Sequence, residues 1–170
     1  VATLLADGFE RCFPQVSADF DRRFAKSVTL RRRFSGDWRD RDAPTFEVDL
    51  HRTLTPGPFG EMVALAELHA HAVPVRVHGR WYRALCPTHR FLHACLHTVL
   101  GSAEPRLHSV RDLIATAPRT PTGAADVVET AADWGVTAVV QRAARMAETT
   151  FPGGSTPELV NAIESARPGR

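Results

Sequence analysis

Lysine is almost missing from this 170-residue chain: Lys26 stands alone beside twenty arginines, and the 21 cations face 19 carboxylates. A net charge of +2 leaves no broad basic field of the kind that an extended nucleic-acid partner requires. Long apolar runs are absent too, the longest being a few residues against the roughly 20 that cross a bilayer. No charged leader backed by an apolar stretch opens the sequence. These absences predict a cytoplasmic protein with no membrane partner. Cysteine is scarce: Cys12, Cys86 and Cys95 are too few and odd in number for a disulfide framework, and none forms a C-x-x-C pair, so reduced thiols are expected. Three catalytic signatures are also missing. Without G-x-S-x-G there is no nucleophile elbow, without a glycine-rich loop no phosphate cradle, and without H-E-x-x-H no usual metalloprotease base.

What remains is a chain 44% apolar and 24% charged, which suits one globular domain with a small appendage. The excess of arginine and alanine reads as GC-rich coding before it reads as function. The first residue is Val1 rather than Met, which fits a GTG start, a processed product or a segment whose N-terminal part is missing.

Helical spacing of Leu4, Leu5, Phe9 and Phe13, interrupted at Gly8, predicts a short first helix. Residues 24–34 read as a half-exposed strand, 35–44 as a polar loop, and Thr45 to Leu50 as a second strand pairing with the first. Phe59 to His71 has helical spacing, and Val73 to Leu85 reads as a smaller hairpin turning at His78, Gly79 and Arg80. Pro87 opens a helix that runs to Leu100 before Gly101. More helices are expected over 107–117, 124–134, 137–149 and 157–166, with 118–123 as a linker. The expected class is α+β, a mixed sheet with hairpins in residues 1–86 followed by a helical part in residues 87–170.

The most pointed segment is Phe46-Glu47-Val48-Asp49-Leu50-His51. Period-two geometry sets Glu47, Asp49 and His51 on one face while Phe46, Val48 and Leu50 anchor the other to the core. Rigid carboxylates of this kind suit a hard cation such as Mg²⁺, which prefers oxygen ligands in strict geometry. An edge strand with a solvated polar face has the same pattern. Arg31 and Arg33 share a face of the preceding strand, where a guanidinium fork fits nucleotide phosphates. A solvated edge that discourages strand pairing is the alternative. Asp37, Asp40 and Asp42 offer a superficial D-x-D in a turn-like setting.

Histidine supplies a rival constellation. His89, His93 and His97 lie on one helical stripe, and His69, His71 or Cys86 stands near enough in sequence to complete a metal site. Positions i to i+8 span about 12 Å of helix, so all three cannot meet one ion.

The order of these features resembles the uncharacterised bacterial nucleotidyltransferases that share the DNA-polymerase-β-like fold. The resemblance rests on Val48-Asp49-Leu50-His51, Leu85-Cys86-Pro87, Leu92 to His97, Val110-Arg111-Asp112-Leu113 and Asp133-Trp134-Gly135, within about Ala2 to Phe151. It implies transfer of a nucleotidyl group from an NTP to a small-molecule or protein acceptor, with Mg²⁺ held by a D-x-D after a Gly-Ser turn and by a third carboxylate on a neighbouring strand. Asp49 matches that third carboxylate, with Glu47 beside it as a second metal ligand; Arg31, Arg33 and His51 fall to the nucleotide. The chain departs from the family pattern in having no Gly-Ser turn that leads into an apolar-flanked D-x-D. Gly8-Phe9 looks like the step that follows those motifs, so the expectation is a segment missing upstream of Val1 and a weak or inactive enzyme. Two other readings stay open: a non-catalytic interaction module with this fold, and a histidine-ligated metal protein.

Overall fold

The computed structural model describes residues 1–13, 25–33, 45–55, 57–101 and 106–167. Helix α1 (Ala2–Ala6) leads into β1 (Glu10–Arg11), β2 (Ser27–Arg33) and β3 (Thr45–His51). Two short helices follow, α2 (Phe59–Met62) and α3 (Leu65–Ala70), then the hairpin β4 (Val73–Val77) and β5 (Arg80–Ala84). Helices α4 (Pro87–Leu100), α5 (Leu107–Thr116), α6 (Pro121–Asp133), α7 (Thr137–Thr150) and α8 (Pro157–Ser165) complete the chain. The α+β class and the strands-then-helices order are as expected. All pairings among the described residues are antiparallel where a mixed sheet is expected.

One sheet has the order β1-β2-β3, with Leu30 opposite Val48, Thr29 opposite Asp49 and Arg31 opposite Glu47. The register makes one face from Thr29, Arg31, Glu47, Asp49 and His51. Leu30 is fully buried on the other face, while Val28, Val48 and Leu50 are half-buried. Phe46 does not anchor that face to the core. It keeps 54% of its surface exposed and packs edge-on against Phe9, with ring centroids 6.4 Å apart, because the far end of β3 is an edge that no described helix covers. The aspartates at 37, 40 and 42 lie outside the described residues.

The smaller hairpin turns on two residues, His78 and Gly79, both at positive φ (46° and 82°). That combination is a type I′ turn, whose twist matches the flanking strands.

Residues 59–71 form two helices rather than one. Val63 adopts an extended conformation (φ −111°, ψ 107°) and is only 3% exposed, so burying a β-branched side chain overrides helical continuity. The expected linker at 118–123 is also shorter. Thr120 Oγ1 accepts from the Gly123 amide (3.1 Å) and Pro121 sits in the first turn, so the Thr-Pro step opens α6. Thr156-Pro157 opens α8 in the same way.

Helix α4 is central, packing against α5, α6 and α7. Its Phe91, Leu92, Cys95 and Leu96 are buried together with Val110, Leu113, Val127, Val140, Leu159 and Ile163 of the surrounding helices. Leu54, Val63 and Leu68, from the segment before the hairpin, join the same core. Each large side chain buried this way contributes about 1.5–3 kcal/mol. Helix α6 stops in a Schellman turn: the Gly135 amide donates to Ala132 O (3.0 Å), the Val136 amide to Ala131 O (2.8 Å), and Gly135 takes φ +62°. The turn places Trp134 in the core, 2% exposed.

Candidate active site

Alternation along β3 brings the expected residues to one side of the sheet. Asp49 has three side-chain partners there. Thr29 Oγ1 donates to Oδ1 (3.2 Å), His51 Nε2 lies 2.9 Å from Oδ2, and the nearby Ser27 hydroxyl also favours the ionised carboxylate. Partial burial alone would raise the Asp49 pKa, but hydrogen bonds from Ser27, His51 and Thr29, with the imidazole charge of His51, hold it below the ordinary carboxylate value. Asp49 is therefore an ionised carboxylate on a rigid strand, and its side chain keeps 46% of its surface open. Ser27 and Thr29 are partners that alternation along β3 does not reveal, since they come from the cross-strand register.

Arg31 and Arg33 are exposed on this face, Arg31 opposite Glu47 on one side and Glu10 on the other, Arg33 opposite Thr45. Arg31 is thus flanked by two acidic positions of neighbouring strands. The sheet brings together all five residues singled out by sequence: Arg31, Arg33, Glu47, Asp49 and His51.

The histidine stripe of α4 divides. His93 and His97 stay together, with ring centroids 6.2 Å apart. Burial, reinforced by the charges of His97, Lys26 and His51, pushes the His93 pKa down to about 4. Burial also lowers His97, with Lys26, His108 and Arg106 acting in the same direction and Asp112 opposing. Cys95 is fully buried and its thiol is pushed up, which makes it inert. His89 turns elsewhere. It is 5% exposed, stacks edge-on with His71 (5.5 Å) and tilts over Trp134 (5.0 Å). Its Nε2 is 3.9 Å from Glu67 Oε1, and the Trp134 indole donates to that same oxygen at 3.0 Å. Glu67 and Trp134 are the members that sequence reasoning misses. Glu67-x-x-x-His71 on one helix face is the only local signal, because α4 and the α6 turn supply the rest.

No curated protein and no solved structure matches the chain. The family model described as uncharacterised nucleotidyltransferase matches residues 2–152, which takes in the β2–β3 face, the hairpin and helices α4 to α7. By that match the chain belongs to the uncharacterised nucleotidyltransferase family.

Proposed function

We propose that the polar face of β2–β3 is the part of a nucleotidyl-transfer site that this chain supplies, binding an NTP and Mg²⁺ for transfer to a small-molecule or protein acceptor. One observation carries this reading: Asp49 is held ionised and oriented by Ser27, Thr29 and His51 while remaining open to solvent. The donor set fits a hard cation, because Asp49 and Glu47 offer carboxylate oxygens two residues apart on one strand face. Bound there, the cation would neutralise phosphate charge during transfer.

The chain's own residues do the rest. Thr29 and His51 fix the Asp49 carboxylate so that it loses little freedom on ligation. Arg31 and Arg33 project cationic forks on the same face, suited to the triphosphate. In the transfer the acceptor oxygen bonds to the α-phosphorus as the bond to the bridging oxygen breaks and pyrophosphate leaves. Residues 1–86 contribute this face and residues 87–170 the helical support. The Gly-Ser and D-x-D carboxylates of the resemblance have no counterpart in these 170 residues, so we expect nucleotide binding with little or no turnover.

The placement of Arg31 between Glu10 and Glu47 favours a second reading, a non-catalytic module whose polar face is a solvated charge ladder. Calorimetric titration with NTPs in the presence of Mg²⁺ separates them. Mg²⁺-dependent binding that Asp49→Asn abolishes supports the first reading; failure of the wild-type chain to bind any NTP supports the second.

A further inference from the structure

A second, chemically different site lies between α3, α4 and the C-terminal end of α6. Glu67, His71 and His89 each offer a ligand atom, and the three atoms lie within 4.8 Å of one another. They line a cavity of about 290 Å³ whose rim adds Asp126, Glu129 and Asp133, with no lysine or arginine among its described lining residues. Such a rim concentrates cations.

Three details set this cluster apart from a chance group of polar residues. His71 Nδ1 lies 3.0 Å from the Glu67 carbonyl, so the ring donates its Nδ1–H to the backbone and keeps the Nε2 lone pair free. Second-shell bonds of this type fix histidines that ligate metals. The Glu67 carboxylate is steadied by the Trp134 indole N–H through one oxygen, and its other oxygen remains available. His89 has a ring nitrogen, Nδ1, that is fully buried with no hydrogen-bond partner, and its Nε2 approaches Glu67 no closer than 3.9 Å. Nε2, the nitrogen nearer Glu67, is the one placed to ligate an ion.

We propose that Glu67, His71 and His89 bind one divalent transition-metal ion of the zinc class, which clasps α3 to α4. Two imidazoles and one carboxylate are the donors that such borderline ions prefer, whereas Mg²⁺ and Ca²⁺ favour all-oxygen sets. Ligands of one tetrahedral zinc stand about 3.3 Å apart, given bonds of about 2.0–2.1 Å. Rotation of the exposed His71 and the half-buried Glu67 closes the cluster to that spacing while the buried His89 stays fixed. The fourth position opens to the cavity and takes water. This site shares no residue with the β2–β3 face, so either can fail without the other.

The test is equilibrium dialysis of the full chain against Zn²⁺, with thermal denaturation in parallel. The expected result is one zinc per chain, removed by EDTA and unaffected by excess Mg²⁺, with a melting temperature that rises with Zn²⁺. His71→Ala sits at an exposed position and leaves the far-ultraviolet circular dichroism unchanged; it weakens binding by more than about ten-fold, in line with losses seen at metal sites. Glu67→Gln acts in the same direction, and His93→Gln, on the other part of the stripe, retains the zinc. The proposal is overturned if the wild-type chain binds no zinc, if His71→Ala binds as tightly as wild type, or if His93→Gln is the variant that loses the ion.

Discussion

The three-stranded sheet and the helical half divide the work of the molecule unequally. Among the described residues the sheet buries one large apolar side chain completely, Leu30, and presents its carboxylates and guanidinium groups to water. The helical half buries Phe91, Leu92, Leu96, Leu113, Leu159 and Ile163 around α4 and encloses His89, while His97 and His108 are exposed. Stability therefore resides mainly where little chemistry is exposed, and the exposed chemistry sits where substitution costs little. Side chains open to solvent can meet a charged nucleotide without first being dehydrated from a packed core.

The largest expected effect tests the helical side of that contrast. Phe91→Ala removes a 2% exposed aromatic from the centre of α4 and should destabilise by about 3–5 kcal/mol, measured by urea denaturation. A comparable truncation on the sheet, Phe46→Ala, starts from a ring that is 54% exposed and should cost well under half as much. Equal losses would dissolve the distinction.

An intermediate effect comes from protons at the seam. His93 is lowered from 6.5 to about 4 in the folded chain, so between those values the unfolded state binds a proton that the folded state refuses. Its contribution is complete above about pH 6.5, declines as pH falls toward 4 and then levels off. His89 and His97 are lowered as well and steepen the decline. His93→Gln should flatten the stability curve in this window by an amount on the order of 2 kcal/mol, read from denaturation midpoints across pH. An unchanged slope would show that His93 titrates alike in both states.

Smaller again is Gly135→Ala. A side chain there must accept φ +62° and displace the Met62 methyl, which should cost about 1–2 kcal/mol and loosen Trp134 from Glu67. The smallest stability change belongs to Asp49→Asn, below about 1 kcal/mol by calorimetry, although Mg²⁺-dependent NTP binding should vanish. A large stability loss in this variant would make Asp49 a structural residue of the sheet.

Legibility in the sequence followed the range of the interactions involved. Helix α4 was readable to its ends because Pro87 and Gly101 mark them by local backbone chemistry, and the polar face of β3 was readable because alternation is a property of one strand. Thr120 and Pro121 carried the start of α6 in plain view, but the Pro-Arg-Thr-Pro-Thr-Gly composition of 118–123 also looks like a linker. Val63 was unreadable because its extended conformation depends on a core built from distant helices. The Asp49 partners Ser27 and Thr29 depend on cross-strand register. The Glu67, His71 and His89 group depends on α3 meeting α4; both histidines stood among the candidate metal ligands, but the contact that joins His89 to Glu67 and His71 is long-range.

Trp134 gives the molecule an internal optical reporter. Of the three tryptophans, Trp81 is 69% exposed and emits as a solvated indole, Trp38 lies outside the described residues, and Trp134 is enclosed, bonded to Glu67 and 5.0 Å from the His89 ring. A charged imidazole quenches an excited indole by accepting an electron from it, so protonation of His89 dims the Trp134 component of the emission. Any rearrangement of the Glu67 carboxylate alters the same component. Acid, metal and loosening of the α6 turn can therefore be followed through Trp134 fluorescence in a chain whose Trp38 and Trp81 are replaced by phenylalanine.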